Sequence, residues 1–334
     1  MGHIKRKRPR RGSLQFWHRK KAKRVYPRIR NHAQSKDNKL IGFSGYKAGM
    51  TQAFFVDSHP NSPTKGETIC AAVTILECPP LKVIGLRLYK KSISGFSAFC
   101  DVFSDAFDIE LGRTITLPKK KLEQQKIKEA EEKLEQTVEI KAILATQPKL
   151  AGFGKKKPEI FEVAIGGVDI KSKFDYIKSI LGQDIKVSDV LTPGQFYDTH
   201  AVTTGKGYQG VIKRFGVRRK VHKSEKGVRR IGTLGPFTGA KTHTVPHPGQ
   251  MGFHTRTEYN KQVLLISNPK EREVNPIGGI VHYGVVKNDY VLFFGSISGP
   301  KKRLIRISNT IRPPTKVHTQ APEIQKIVLR SQQR

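Results

Sequence analysis

Short apolar runs separated by turn residues dominate the chain from residue 40 to 104. The runs are rich in β-branched and aromatic residues, and Gly, Pro, Asn and Ser lie between them. This pattern is typical of strands. It returns at residues 159–167, 184–199, 263–267 and 280–307, the last with turns predicted at Asn288-Asp289 and Gly299-Pro300. Many short strands without regularly alternating helices predict a mainly β chain with a barrel, and argue against a doubly wound parallel sheet.

Two segments have the period of a helix. Residues 118–144 place Ile127, Leu134 and Val138 on one stripe and predict an α insertion, within a helical region of about residues 105–158. A second, shorter helix is predicted at residues 169–181, with Asp169 as its cap and Gly182 at its end.

The composition is that of a folded protein without a membrane span. The 334 residues are 37% hydrophobic, and their apolar runs are far shorter than the roughly 20 residues that cross a bilayer. Basic residues interrupt the N-terminal segment, which argues against a secretory signal. Cys70, Cys78 and Cys100 form no C-x-x-C pair, so we expect buried thiols in a reducing, cytoplasmic location.

The positive charge is concentrated in three segments. The chain has 62 Lys and Arg residues against 27 acidic residues, a net charge of +35, which indicates a polyanionic partner. Residues 1–40 hold 15 basic and one acidic residue, residues 205–262 hold 13 and two, and residues 300–334 hold nine and one. The sequence therefore predicts a nearly neutral β-barrel body at residues 41–204 and 263–310, a basic N-terminal arm at 1–40, a basic central loop at 205–262 and a C-terminal tail at 311–334.

Aromatic residues lie among the cations of the N-terminal arm. Phe16, Trp17, His18 and Tyr26 are set among arginines and lysines. Cations neutralise phosphates, and aromatic rings stack on unpaired bases, so this mixture favours RNA with loops and bulges over plain duplex. A solubility tail or a localisation signal has little use for Trp17 or Phe16.

The glycine motif in the central loop resembles a nucleotide fingerprint only in its spacing. Gly205, Gly207 and Gly210 fit G-x-G-x-x-G, but a dinucleotide site needs a following amphipathic helix and an acid about 20 residues later. The following segment carries cations on every face and contains Gly216. The alternative is a backbone that turns sharply and passes close to phosphates, with Lys206 supplying charge.

Other chemistries have little support. No G-x-x-x-x-G-K-[ST] or G-x-S-x-G motif occurs. His243, His247 and His254 lack nearby Cys or carboxylate ligands other than Glu258, so we expect no metal and interpret these histidines as RNA contacts. We also expect no cofactor and no small-molecule substrate.

Four ordered passages resemble a known family. They are PRRGSLQFWHRKKAKR near the N-terminus, GFSGYKAGMTQ at residues 42–52, LTPGQFYDTHAVTTGKGYQGVIKRF from Leu191, and GQMGFHTRTEYNK at residues 249–261. They resemble the L-three family of large-subunit ribosomal proteins in its archaeal and eukaryotic form. The third passage is the most specific, and the segment at residues 146–167 is similar to archaeal and eukaryotic members and unlike the shorter bacterial ones.

The resemblance implies a translation-type β-barrel, and an arm and a central loop that run into large-subunit rRNA. It implies a structural and assembly role rather than an enzyme, with neighbouring large-subunit proteins as further partners and a place in the cytoplasmic large subunit. The loop would approach the peptidyl transferase centre with Pro236, Phe237 and Thr238 at its tip. Many relatives have tryptophan where this chain has Phe237, which keeps stacking but loses an N–H donor. The basic extensions are expected to order only on rRNA.

The charge pattern and the resemblance together define the expected rRNA-binding residues. They are Arg10, Arg11, Phe16, Trp17, His18, Arg19, Lys20, Lys23, Arg24, Gly205, Lys206, Gly207, Gly210, Lys213, Arg214, Arg218, Arg219, Lys220, Arg229, Arg230, His254 and Arg256. Two alternatives remain at this point. One is an RNA-modifying enzyme with a basic cradle and a catalytic acid such as Asp198 or Asp101, and the other is a DNA-compacting protein.

Overall fold

The chain divides into two compact units. The computed structural model describes residues 12–17, 19–93, 95–118, 120, 122–232, 234, 244–314 and 319–330. The extension unit comprises Met1–Val25 and Val202–Thr255, and the body unit comprises Tyr26–Ala201 and Arg256–Arg334. This division differs from the one expected from charge, because residues 26–40 and 256–262 belong to the body unit.

Strands outnumber helices throughout the described chain, which confirms the mainly β class. The strands are β1 (Gly42–Val56), β2 (Thr68–Glu77), β3 (Leu81–Ser92), β4 (Gly95–Phe103), β5 (Glu139–Thr146), β6 (Ile160–Ala164), β7 (Asp184–Ile185), β8 (Phe196–Val202), β9 (Tyr208–Gln209), β10 (Gly249–Gln250), β11 (Thr255–Ser267), β12 (Tyr290–Phe294), β13 (Leu304–Asn309) and β14 (Ile324–Ile327). The α-helices are α1 (Glu123–Glu132), α2 (Ile170–Ile180) and α3 (Val211–Phe215).

Six strands of the larger sheet close into a ring. Their order is β13-β8-β11-β12-β2-β1, and β1 also pairs with β13, which joins the two ends. The other part of β1 pairs with β14. Val291, Leu292 and Phe293 on β12 are fully buried, because this strand runs through the core with apolar residues on both faces.

A second sheet of the body unit has the order β4-β3-β5-β6, and β7 pairs with β3. Helix α1 lies against β4 and α2 against β5. One cluster of buried side chains spans both sheets. The hydroxyl of Tyr46 on β1 donates to the Glu159 carboxylate at 2.9 Å, which links the ring to the segment before β6.

The long predicted helix is wrong over its second half. Only Glu123–Glu132 is α-helical, and residues 139–146 form β5 between β3 and β6. Ile140, Ala142 and Leu144 are buried there, and pairing on both sides outweighs the helical period of the sequence. The predicted helix at 169–181 is confirmed by α2, which has Asp169 at its N-cap and Gly182 at φ +76° after it.

The predicted meander at residues 280–307 is also partly wrong, because strand β12 begins only at Tyr290. The preceding loop is held by the buried carboxylate of Glu77, which accepts hydrogen bonds from the Lys287 and Asn288 amides at 2.9 and 3.1 Å. The Tyr283 hydroxyl donates to the same carboxylate. The backbone amides of Lys287 and Asn288, which would donate to a neighbouring strand in a meander, therefore donate to the Glu77 side chain.

Residues 26–40 are held on the body unit by Arg306. This side chain is 3% exposed, and its guanidinium donates to the carbonyls of Pro27 and Glu162 and lies 4.4 Å above the Phe161 ring. Burial lowers the pKa of Arg306 to about 10. The hydroxyl of Tyr26 also donates to the Ile160 carbonyl at 2.8 Å, so this half of the predicted arm packs on folded protein.

Two of the three cysteines are buried in the body unit. Cys78 and Cys100 are buried, but Cys70 is exposed on β2, so the expectation of three buried thiols is wrong for Cys70. Burial raises the pKa of the Cys78 thiol.

Among the helices in the part of the chain that the structure describes, none has the length and apolar character needed to span a bilayer.

Candidate nucleic-acid interface

The base of the central loop is a short antiparallel ladder in the extension unit. The Thr203 amide donates to the His254 carbonyl at 2.9 Å, and Lys206 and Gly207 exchange backbone bonds with Met251 at 2.9 Å. Strands β9 and β10 continue this pairing. The ladder therefore brings the two ends of the central loop together.

Gly252 makes the ladder possible. Its φ is +70°, and a Cβ there would lie 2.0 Å from the Thr204 carbonyl oxygen. Any side chain would therefore separate the two strands. Gly252 was not among the predicted site residues, although it lies in one of the four family passages.

The glycine motif produces an open turn rather than a dinucleotide site. Gly207 has φ +65°, and no heavy atom lies within 4 Å of a Cβ built there. Gly210 is the N-cap of α3, which has five residues and ends at Gly216 with φ +65°. A helix this short does not provide the long amphipathic partner of a dinucleotide site.

The N-terminal arm packs against this ladder. The Ala22 amide donates to the Phe253 carbonyl at 2.8 Å, and the Lys20 carbonyl lies 2.9 Å from Nδ1 of His254. The arm and the loop were predicted as separate extensions. Instead, the described parts of the arm and the loop form one compact unit.

Phe215 is the centre of the contact between arm and loop. Its ring stacks on Trp17, with centroids 5.3 Å apart and an interplanar angle of 30°. The guanidinium groups of Arg19 and Arg214 lie 4.6 and 5.0 Å from the centre of the same ring. Stacking and cation–π contacts of this kind are each worth about 0.5–1.5 kcal/mol. Phe215 was not among the predicted site residues. Like Phe16 and Trp17, however, it lies close to basic residues in the sequence.

Two nitrogens of the Arg214 guanidinium donate to carbonyls within the protein. Nε donates to the Gln250 carbonyl at 3.1 Å and an Nη atom donates to the His247 carbonyl at 2.7 Å. Burial, together with the nearby Arg19 guanidinium, lowers the pKa of Arg214. Arg19 in turn donates to the Arg214 carbonyl at 3.2 Å. Both arginines are among the residues predicted to bind rRNA, and in the structure they hold the arm on the loop.

A cleft of about 280 Å³ opens beside this contact. Its wall includes Phe16, Trp17, Lys20, Phe215 and His247. Phe16 is 38% exposed and Lys20 is exposed. The cleft therefore combines aromatic surface with positive charge, the combination that suits an unpaired nucleotide.

Most of the predicted cationic residues present their side chains to solvent. His254 is buried and contacts the arm, and Arg256 is half-buried on β11 in the body unit. Arg10, Arg11, His18, Pro236, Phe237 and Thr238 lie outside the described residues. The exposed basic residues are Lys20, Lys23, Arg24, Lys206, Lys213, Arg218, Arg219, Lys220, Arg229 and Arg230, and Gly205, Gly207 and Gly210 are exposed beside them.

The acids proposed for an RNA-modifying enzyme have structural partners. Asp198 is fully buried and accepts hydrogen bonds from the Asn260 and Ile311 amides at 2.9 and 3.0 Å. Asp101 forms two bonds with the Arg87 guanidinium at 2.7 and 2.6 Å. In the part of the chain that the structure describes, no group of three or more His, Cys, Asp or Glu could hold a metal ion.

Comparison with known proteins gives one consistent result. The sequence model of the family described as ribosomal protein L3 matches residues 1–332. The large ribosomal subunit protein uL3 of Methanopyrus kandleri is 45% identical, covering 98% of this chain and 91% of its own length. The uL3 protein of Methanobrevibacter smithii is 44% identical, covering 97% and 98%, and that of Pyrobaculum aerophilum is 46% identical, covering 94% of both chains. The chain therefore belongs to the ribosomal protein L3 family.

Proposed function

We propose that this protein is a structural constituent of the large ribosomal subunit and binds large-subunit rRNA through its extension unit. The observation that carries the proposal is the set of exposed lysines and arginines on that unit, on a chain with a net charge of +35. The relatives named above are all large ribosomal subunit proteins. The protein acts as a structural component and not as an enzyme.

The mechanism is electrostatic attraction combined with stacking. Exposed cations such as Arg218 and Lys220 neutralise phosphates and release counterions. The open backbone at Gly207 lets a strand of RNA approach closely, because no side chain occupies the space there. Phe16 and Tyr208, which are 38% and 76% exposed, offer rings on which bases stack.

The central loop supports the rRNA around the peptidyl transferase centre, with Pro236, Phe237 and Thr238 at its tip. This part of the proposal rests on family membership and on the ladder that brings the two ends of the basic loop together. The body unit contributes contacts to neighbouring large-subunit proteins, and the C-terminal tail adds further positive charge.

Sedimentation tests the proposal. The chain, detected by an antibody in a sucrose gradient of cell lysate, should migrate with the large subunit after a moderate salt wash. A variant that lacks residues 218–248 should retain the cooperative unfolding of the body unit but produce subunits defective in assembly or peptide-bond formation. Sedimentation of the full chain with free protein only would contradict the proposal, and unfolding of the deletion variant would contradict separable units.

A further inference from the structure

An aromatic groove of about 480 Å³ opens on the surface of the body unit. None of the predicted rRNA-binding residues lines this groove. Four rings line it, together with Ile69, His59 and Lys261; the rings are those of Phe55, Phe196, Tyr259 and Phe294.

Phe294 is exposed although the rest of its strand is buried. It ends β12, and its side chain is 45% exposed while Val291, Leu292 and Phe293 are fully buried. Its ring meets the buried ring of Phe55 edge to face, at 6.3 Å and 78°. This contact fixes the orientation of an exposed aromatic surface, so little side-chain entropy would be lost when a planar ligand stacks on it.

Tyr259 presents a second exposed ring in the groove, with a cation beside it. Tyr259 is 44% exposed, and the exposed Arg312 guanidinium lies 5.1 Å from the centre of its ring. Lys261 also lines the groove, and its ammonium lies 3.1 Å from the Glu258 carboxylate. Proteins that bind single-stranded nucleic acid often combine an exposed aromatic ring with an arginine beside it.

The one carboxylate among the residues lining the groove is turned toward its own loop. Asp57 is 5% exposed and accepts hydrogen bonds from the His59 amide at 3.0 Å and the Thr64 hydroxyl at 2.7 Å. Its negative charge is therefore held by protein donors. The half-buried Glu258 carboxylate is held in turn by Lys261 and by the Ser298 hydroxyl. An anionic strand would therefore meet the exposed Arg312 guanidinium at the groove.

We propose that this groove binds an unpaired base of large-subunit rRNA, stacked on Phe294 or Tyr259, with Arg312 beside the adjoining phosphate. The inference rests on the proposed function and adds a stacking site on the body unit to the contacts of the extension unit. A peptide of a neighbouring protein could also cover an aromatic groove. The arginine beside the Tyr259 ring and the inward-turned Asp57 favour RNA, and photo-crosslinking separates the two occupants.

Photo-crosslinking identifies the occupant directly. Phe294→benzoylphenylalanine in the full chain, assembled into large subunits and irradiated, should give a crosslink to rRNA. A crosslink to another protein, or none at all, would overturn the inference. The control is Phe16→benzoylphenylalanine in the extension unit: if Phe16 crosslinks to rRNA and Phe294 does not, only the groove proposal fails, whereas failure of both positions counts against the proposed function as well.

A matched pair of substitutions tests stacking. Phe294→Leu keeps apolar bulk but removes the π-face, and Phe294→Tyr keeps the ring. For a large-subunit rRNA transcript, we expect Phe294→Leu to weaken binding at least about fivefold, with the salt dependence of binding unchanged, and Phe294→Tyr to bind like the wild type. Equal affinity of Phe294→Leu and the wild type would overturn the inference, provided that thermal unfolding shows both variants to be folded. If the wild type itself does not bind the transcript, the proposed function fails.

Discussion

Trp17 and Phe215 lie far apart in the sequence, yet their rings stack 5.3 Å apart in the extension unit. A Cβ on Gly12 would lie 2.6 Å from the same Phe215 ring, so the chain before Trp17 also follows this surface closely. The contact sets the direction in which the arm leaves the ladder. Under the proposed function, the described parts of the arm and the loop would meet rRNA as one preorganised piece, which reduces the ordering cost of binding.

The fluorescence of Trp17 should report this contact, because it is the single tryptophan of the chain. Phe215→Ala removes the ring on which it stacks, a contact worth about 0.5–1.5 kcal/mol. We expect its emission to shift to longer wavelength and acrylamide quenching to increase. Tyr208→Ala, at a position 76% exposed in the same unit, is the control and should leave the emission unchanged. An unchanged spectrum for Phe215→Ala would show that the stack does not hold the arm.

Local signals in the sequence predicted some elements, and tertiary contacts decided others. Helix α2 was predictable because Asp169 and Gly182 mark its ends. Strand β5 was not, because its helical period is overridden by strands on both sides. The exposed lysines and arginines of the extension unit were predictable from the distribution of charge along the sequence. The role of Arg214 did not, because its partners are backbone carbonyls, which leave no trace in the sequence.

Gly252→Ala should open the base of the loop. A Cβ at this position meets the Thr204 carbonyl oxygen at 2.0 Å, and φ is +70°, so we expect a loss of about 2–3 kcal/mol in the local opening free energy. Hydrogen exchange of the Met251 and Phe253 amides, which donate across the ladder, measures this opening free energy. Gly207→Ala is the matched control: φ is +65° but the space is open, so only the conformational cost of about 1 kcal/mol is expected. Similar exchange rates in the two variants would refute the steric argument.

Glu77→Ala should destabilise the body unit by roughly 2–4 kcal/mol, because donors of Tyr283, Lys287 and Asn288 lose a fully buried acceptor. Glu77→Gln should cost less, since an amide oxygen still accepts from the two backbone amides. Urea unfolding followed by circular dichroism gives both values. The control Glu67→Ala removes an exposed carboxylate and should change stability by less than about 0.5 kcal/mol. The idea fails if Glu77→Ala and Glu67→Ala are equally stable.

Two histidines should make the body unit sensitive to acid. Burial, together with the positive charge of the Arg306 guanidinium, lowers the pKa of both His32 and His200 to about 4. Lys141 acts on His32 in the same direction, whereas the carboxylates of Glu162 and Asp198 oppose the shifts for His32 and His200 respectively. In the unfolded chain each histidine has its ordinary pKa near 6.5. The unfolded state therefore binds more protons between pH 6.5 and 4, and stability falls as pH falls through this window.

The size of this effect is about 2 kcal/mol for each histidine between pH 7 and pH 5. His200 sits between the hydroxyls of Thr257 and Ser308 at 2.9 and 3.0 Å, so His200→Gln retains polar contacts without titrating. Urea unfolding at the two pH values should show a smaller loss of stability in this variant than in the wild type. His282→Gln, at an exposed position, should keep the full wild-type loss. An identical pH dependence in His200→Gln and the wild type would remove His200 from the explanation.

Exposed and internally bonded arginines should respond differently in rRNA binding. Arg219 is exposed, so Arg219→Gln should weaken binding and reduce the slope of log K against log salt by about 0.7–0.9 if it contacts one phosphate. Trp17 emission of the free protein should not change. Arg214→Gln should alter that emission before any RNA is added, because its guanidinium holds the His247 and Gln250 carbonyls beside the stack. Filter binding across a salt series, together with fluorescence of the free proteins, separates the two roles. If Arg214→Gln changed only the salt slope, as Arg219→Gln is expected to do, Arg214 would be a phosphate contact and the arm would be positioned without it.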